Sequence, residues 1–457
     1  MKKLSLLLLT VIVLCFSGLS AFAQDVEKGF TPQTSTKITA QAILLKSLDT
    51  GDVLYEKNAD VEYYPASLVK LMTAIVAVEN TDNLDTETVT YSQAVQDYLY
   101  LYRLEHGAIS NAQLVAGEEL SMRDMLYAAL LPSANEAAMC IAEHVGGSQE
   151  DFVAMMNTRA QELGAKSTNF VNATGLFDKN QVTTARDLAV LAEYALENQD
   201  LSEITSAYTH TVSTNKHESL TWYTTVEMQN PEHSYYYDGI KGVKTGSLPE
   251  SGRNYIATVQ RDGYNYLLVI LGSEIPVDAN GNSIYTGNQA FVETRAIFDW
   301  VFKSFRTKTL VNQGEVVGEV PVKFSADNDF IQVVTGSYFS YLVPENYTIG
   351  DSSSQLTQDV DVPDIIEAPI TKGDVLGKMT ISLAGEEIGS VDLVAASSVN
   401  DSRLLKILDF IKTLSKSFWF KFVVALLVIL IILYIVLMII RNRNRKRKNA
   451  RRNMKFK

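Results

Sequence analysis

The sequence predicts an α+β domain on an antiparallel sheet, then a small all-β domain and one membrane-crossing helix. Three observations carry this. Strand-like runs stand at both ends of residues 41–275 with a long helical stretch between them, the order of an α+β or three-layer domain and not of a parallel sheet. Residues 310–398 hold only short β-rich runs separated by turn signals. Residues 422–440, FVVALLVILIILYIVLMII, carry no charge and are long enough to cross a hydrocarbon core.

In chain order, Lys2 and Lys3 precede an apolar run, Leu4 to Leu14, and an Ala21-Phe22-Ala23 cleavage signature. A secretory signal peptide over residues 1–23 is expected. Leu14 is too bulky for Cys15 to be a lipid-attachment cysteine. QAILLKSLDTGDVLYEKNAD (41–60) reads as a hairpin through Asp-Thr-Gly. From Ser67 to about Asn198, SLVKLMTAIVAVE, SMRDMLYAALL, ANEAAMCIAEHVG, QEDFVAMMNTRAQELG and TARDLAVLAEYALE space their apolar residues helically. Ser121 with Asp124 fits a capping pattern. Strands dominate 205–275, with NYIATVQRDGYNYLLVILG a hairpin through Arg261-Asp262-Gly263. NQAFVETRAIFDWVFKSF (288–305) returns to helix.

These readings divide the exported chain into a domain at 24–305, a β-rich spacer or scaffold at 306–398, and an amphipathic juxtamembrane helix at 399–421. That helix sets Leu404, Ile407, Leu408, Ile411, Leu414 and Phe418 against Lys406, Asp409, Lys412 and Lys416. The span at 422–440 is followed by a tail, 441–457, with ten Lys or Arg and no acid. The positive-inside rule makes that tail cytoplasmic and the preceding domains extracytoplasmic in a single-pass cell-membrane protein.

The formal charge of −13 conceals an asymmetry: residues 24–440 carry 28 basic against 53 acidic side chains, a balance of −25. So acidic an exported domain is not built for nucleic acid. Of the two cysteines only Cys140 outlasts the signal, so no intrachain disulfide is expected, and its apolar helix makes it a packing residue. The five histidines show no metal-ligand spacing, so neither metal nor other cofactor is expected.

The chemistry lies in three short motifs. An isolated S-x-x-K is a weak signal, and the chain has a second at 213–216; S-x-N occurs four times. K-T-G occurs once. The ordered set is informative: Ser67-Leu-Val-Lys70 at a helix start, Ser133-Ala-Asn135 after Pro132, and Lys244-Thr245-Gly246 entering a strand hairpin. Positions i and i+3 share a helix face, so the Lys70 amine can reach the Ser67 oxygen. A hydroxyl needs a base to become a nucleophile. A lysine serves only if burial or a second cation lowers its pKa, and Lys244 is the expected cation. Ser67 at the helix N-terminus also lies over the positive end of the helix dipole. The plain alternative for Ser133, an N-cap serine on a helix at 134–145, is compatible with a hydroxyl presented to the cleft.

This set resembles the active-site serine penicillin-recognising enzymes, and among them the low-molecular-mass penicillin-binding proteins of D-alanyl-D-alanine carboxypeptidase type. PASLVKLMTA, GEELSMRDMLYAALLPSANEAA (117–138), FVNATGLFDKNQVTTARDLAVLAEYAL (170–196), GIKGVKTGSLPESGRNYIATVQRDG (239–263) and APITKGDVLGKMTISLAGEEIGSVDLV (368–394) carry the resemblance over roughly 35–420. It implies the transpeptidase-like fold shared with β-lactamases, with helices on both faces of the sheet plus a helical cluster. It implies removal of the terminal D-alanine from peptidoglycan stem peptides through a Ser67 acyl-enzyme, with β-lactams as covalent inhibitors. Lys70 would be the general base, Ser133 a proton relay, and Asn135 a holder of Lys70 and the substrate amide. Lys244 and Thr245 would hold the terminal carboxylate, Gly246 would admit the substrate backbone, and the N–H groups of Ser67 and Ser247 would form the oxyanion hole. The second motif is the variant S-A-N, and no arginine stands just before K-T-G, which leaves carboxylate recognition to Lys244 and Thr245. A β-lactamase is the nearest alternative but would need a deacylating E-x-x-L-N loop, which 140–240 lacks. Endopeptidase or transpeptidase action uses the same chemistry. A non-enzymatic wall-binding protein with a relic cleft is the remaining alternative.

Overall fold

A computed structural model describes residues 27–278, 287–345, 356–383 and 386–453. The expected signal peptide and the last four residues of the basic tail lie outside the described residues. The chain divides into two compact units between Ser304 and Phe305.

In the first unit β1 (Glu27–Gly29), β2 (Ala42–Ser47) and β3 (Val53–Lys57) precede α1 (Val69–Glu79). Then come β4 (Thr88–Thr90), α2 (Gln93–His106), β5 (Glu119–Ser121), α3 (Met122–Leu130), α4 (Asn135–Gly146), α5 (Gln149–Leu163), α6 (Ala185–Glu197) and α7 (Gln199–Ser206). The ribbon β6 (Thr209–Val212) and β7 (Leu220–Tyr223) leads to β8 (Ile240–Leu248), β9 (Gly252–Arg261), β10 (Tyr264–Ser273) and α8 (Gln289–Ser304). The main sheet runs β1-β3-β2-β10-β9-β8 with every pairing antiparallel, so β8 is an edge strand.

Alternation along β10 explains why helices cover both faces. Leu267, Val269 and Leu271 share a core with Leu188, Leu191 and Ala192 of α6. On the other face Tyr266 meets Phe302 of α8 edge-to-face at 5.1 Å, and Tyr255 of β9 meets Phe291 at 5.1 Å. The expected α+β transpeptidase-like architecture is present, helical cluster included.

Helix starts follow one local rule. Ser121, Ser148 and Thr184 each accept the N–H of an aspartate three residues on, opening α3, α5 and α6. α1 is different: every residue from Val69 to Ala77 is buried, Lys70 among them. A helix apolar all round belongs inside a core, and α1 shares its core with residues of α3, α4, α5 and α6.

Two expectations need correction. α2 was not anticipated, because QAVQDYLYLYRLEH buries only Val95 and Leu99 and leaves Tyr98, Tyr100, Leu101 and Leu104 exposed, so no clean apolar stripe marks it. Ser133 is not an N-cap: Ala134 takes that position, and Ser133 sits in the left-handed region at φ 63°.

The second unit pairs β11 (Phe305–Val311) with β14 (Phe339–Pro344). Its six-stranded sheet runs β15 (Leu356–Asp361), β17 (Val375–Leu383), β18 (Glu386–Ala395), β13 (Phe330–Thr335), β12 (Val316–Lys323), β16 (Ile366–Glu367). Ile331, Val333, Ile381 and Leu393 are central to its core. α9 (Arg403–Lys416) buries no residue, and α10 (Phe418–Asn453) runs unbroken from the apolar span into the basic tail. Its Phe418–Lys446 stretch is long and apolar enough to cross a membrane, the one such helix among the described residues.

Because Ile75 is 1 % exposed in the middle of α1, Ile75→Ala should cost about 2–5 kcal/mol and Ile75→Val about 0.5–1.5 kcal/mol. Chemical denaturation of the purified protein, read as a shift in midpoint at unchanged slope, measures both.

Candidate active site

Ser67 lies in the tight turn Ala66–Leu68 that runs straight into α1, and it is partly exposed at the bottom of a cleft. The turn is held at three points. Asn254 of β9 donates from Nδ2 to the Tyr64 carbonyl at 2.8 Å and accepts the Gly272 N–H at 2.8 Å, pinning it to the sheet. Gly246 of β8 packs so closely that a Cβ there would stand 3.2 Å from the Ser67 nitrogen. Gly175, at φ 83°, closes the other side; a Cβ there would meet the Ala66 carbonyl oxygen at 2.1 Å. Only glycine permits both approaches. Ala66 itself sits at φ 49°, a conformation that persists where its surroundings enforce it.

One helical turn on, Lys70 is fully buried, and its Nζ lies 3.2 Å from Ser67 Oγ. It also donates to Asn135 Oδ1 at 3.0 Å and to the Thr174 carbonyl at 2.5 Å. A neutral amine has two N–H donors and one lone pair. Asn135 and Thr174 take the donors, which leaves the lone pair for the Ser67 hydroxyl proton. Thr174 is presented by a folded turn in which Asn172 Oδ1 accepts from the Thr174 and Gly175 N–H groups, while Thr73 of α1 donates to the Ala173 carbonyl. Asn135 is fixed in turn: its N–H and Nδ2 both donate to the Ser110 carbonyl, at 3.1 and 2.9 Å.

Lys244 on β8 is also fully buried, with Nζ donating to the Thr245 carbonyl at 3.0 Å. Burial alone pulls its pKa down to about 7. Lys70 is held well below the usual lysine range, first by burial and second by the Lys244 charge; the buried Glu136 carboxylate opposes both. The sequence expectation named Lys244 as the cause, and the structure makes desolvation the larger one. Glu136 is itself raised by burial, against the Ala112 N–H that it accepts at 2.6 Å.

The cleft, of about 270 Å³, is lined by Ser67, Ser133, Thr245, Gly246 and Ser247 from the motifs. Lys70, Asn135 and Lys244 lie beneath them. All eight sequence-predicted residues are therefore gathered in one place. Ser133 Oγ is buried and has no hydrogen-bond partner among the described residues, so a proton-bearing hydroxyl is kept available at the cleft. Thr245 Oγ1 is 2.6 Å from Thr225 Oγ1. Sequence reasoning missed Ser110, Thr174, Gly175, Thr225, Glu136 and Asn254. The N-A-T-G turn at 172–175 was the one visible signal, a short polar–glycine punctuation between apolar runs.

A serine one turn before a dry lysine of lowered pKa, with a second buried lysine on an adjoining edge strand, defines an active-site serine enzyme of the penicillin-recognising class. The chain belongs to the D-alanyl-D-alanine carboxypeptidase family, whose pattern matches residues 28–274, while residues 305–401 match the C-terminal domain of penicillin-binding protein 5. It is similar to D-alanyl-D-alanine carboxypeptidase DacF of Bacillus subtilis, 29 % identical over 410 residues that cover 89 % of this chain and 97 % of that one. It is also similar to the D-alanyl-D-alanine carboxypeptidase of Streptomyces sp. K15, 32 % identical over 256 residues, 54 % of this chain and 86 % of that one. Among solved structures, penicillin-binding protein 5 of Haemophilus influenzae aligns with TM-score 0.55 and 25 % identity, over 82 % of this chain and all of that one. The Streptomyces K15 DD-transpeptidase aligns with TM-score 0.51 and 27 % identity, over 59 % of this chain and 99 % of that one.

The buried amine has a stability consequence. Between about pH 7 and the ordinary lysine value of 10.5 the unfolded chain binds a proton that folded Lys244 lacks, so its contribution to stability grows as pH rises through that window. Below it the amine is charged and desolvated. Lys244→Met should therefore raise stability at neutral pH by on the order of 2–4 kcal/mol and flatten the rise between pH 7 and 10. Denaturation midpoints across that pH range test it.

Proposed function

We propose that Ser67 is the nucleophile and Lys70 the base of a serine-type D-Ala-D-Ala carboxypeptidase acting on peptidoglycan stem peptides. The observation that carries the reading is the buried Lys70 amine, 3.2 Å from Ser67 Oγ and bonded to Asn135 and the Thr174 carbonyl. The substrate lies along the unpaired edge of β8, where Gly246 admits its backbone. Ser67 Oγ attacks the carbonyl carbon of the penultimate D-alanine as its proton passes to Lys70. The oxyanion is received by the N–H groups of Ser67 and Ser247. As the C–N bond breaks, Ser133 passes the proton from Lys70 to the leaving amine, and free D-alanine departs. Water then attacks the ester, Lys70 takes its proton, and Ser67 is restored. An amine in place of that water would make a cross-link, and a cross-bridge in place of the terminal residue would make an endopeptidase; the first two half-reactions are the same. β-Lactams acylate Ser67 by the same attack, and the absence of an E-x-x-L-N loop between the second and third motifs favours a lasting adduct over β-lactamase turnover.

The same reading places the chain at the cell membrane. Residues 1–23 direct export and are removed, 24–305 form the catalytic domain, 306–398 the β-rich spacer, and 399–421 the interfacial helix. Residues 422–440 cross the bilayer and 441–457 remain cytoplasmic. The ten basic residues after the span and the single long apolar helix support that orientation.

Mass spectrometry of the protein after benzylpenicillin should show one adduct, on the Ser67 peptide, persisting for many minutes; Ser67→Ala should neither label nor release D-alanine from a D-Ala-D-Ala peptide. Labelling elsewhere, or full activity in Ser67→Ala, rejects the assignment.

The rate of penicillin acylation should rise with pH as Lys70 loses its proton. Lys244→Gln removes one of the two effects that lower the Lys70 pKa, so that rise should move to higher pH. A profile of the acylation rate constant between pH 4 and 9 measures the shift.

A further inference from the structure

We propose that Arg253 is the cation that binds the terminal carboxylate of the substrate, a role no sequence motif assigns to it. The inference rests on the carboxypeptidase reading above and specifies how its substrate is selected.

Arg253 lines the same cleft as Ser67, Ser133, Thr245 and Ser247, and is the only basic residue among those lining it in the described structure. The strand register explains how it gets there. β9 is antiparallel to β8 with Arg253 directly opposite Ser247. Directly opposed residues point to the same face, and Thr245, two positions before Ser247, shares that face. The guanidinium and the Thr245 hydroxyl therefore belong to one side of the sheet edge, while Lys244 points to the other, toward Lys70. Arg253 also pairs with Ser273 of β10, so it is seated between two strands and not on a free loop.

The alternatives are poorer cations. Lys244 is buried, its Nζ donates to the Thr245 carbonyl, and burial weakens its hold on the proton. Lys241 is exposed, bonded to Gln260, and about 20 Å along β8 from Ser247 at ordinary strand rise. Glu227, the one carboxylate lining the cleft, repels an anionic chain end and increases the need for a permanent positive charge. An arginine supplies that charge at every physiological pH and matches a carboxylate with two parallel N–H donors. A carboxypeptidase must tell a free chain end from an internal peptide bond, and a bidentate guanidinium makes that distinction.

The test uses two activated substrates that differ only in this group: benzoyl-D-alanyl-thioglycolate, with a free carboxylate, and its methyl ester. In the wild-type protein the free acid should be preferred. Arg253→Gln should lower kcat/KM for the acid by about 10- to 100-fold, the span of one hydrogen-bonded charge pair, mainly through KM. The ester should change by less than about threefold, so the acid-to-ester ratio collapses. Arg253→Lys should recover part of the ratio. Equal losses on both substrates, as from a misfolded variant, or an unchanged ratio in Arg253→Gln would overturn the proposal. If the wild-type protein cleaves neither substrate and Ser67 is not acylated, the carboxypeptidase reading fails instead, and that outcome is separable from the variant ratio.

Discussion

The structure depends on one electrostatic condition: a lysine amine whose hold on its proton is weakened by burial beside a serine. An exposed lysine holds its proton far too tightly to act as a base, and only a dry environment reverses that. The protein creates the environment by placing Lys70 in the second position of a helix buried on every side, and by setting a second lysine in the adjoining edge strand. Burial lowers the proton affinity of both amines. Their mutual repulsion then favours one charged and one neutral group over two charged ones. Lys70 experiences burial and repulsion together, and both weaken its hold on a proton.

That condition explains features that look unrelated. A desolvated amine is tolerable only with its N–H groups satisfied, hence the Thr174 carbonyl and the Asn135 side chain, each held by its own hydrogen bonds. A core this dry must still open to substrate at one point. The opening is the Ser67 turn, gripped between Gly175 and Gly246 and bolted to β9 by Asn254. The two left-handed non-glycine residues of the motifs, Ala66 and Ser133, flank this opening. Ordinary helix starts elsewhere in the domain use a Ser or Thr cap bonded to the chain three residues on; the Ser133 hydroxyl is withheld from that use and faces the cleft.

How much of this was legible in the sequence follows from which parts are local. Hairpins, capped helices and the long apolar helix were readable because turn residues, S/T-x-x-D caps and an uncharged run act over a few positions. The motif residues were readable as a set, since their order and contexts agree. α2 escaped because its helical spacing serves no continuous buried face. The roles of Thr174, Glu136 and Ser110 were invisible because a backbone carbonyl, a buried carboxylate and a loop bond acquire their meaning only from what the fold brings next to them. Arg253 shows the same limit from the other direction. It stands six residues after Ser247, outside the motif itself, and the β8–β9 hairpin returns it to the position opposite Ser247.

The edge position of β8 joins these points. An unpaired strand edge is a liability in most proteins because any extended chain can pair with it. Here the same property is what a peptide-cleaving site requires: a row of backbone donors and acceptors that aligns a substrate before any side chain reads it. The edge is guarded by what stands along it. Ser67 and Ser133 face one side, Thr245, Ser247 and Arg253 the other, and the buried amines lie beneath. A strand without a free carboxylate at the right register can pair with the backbone but does not engage the cation, so its carbonyl is held over Ser67 less firmly. Binding along the edge is thus separated from reaction at the serine, and the distance between the scissile bond and the chain end becomes the measure of the substrate.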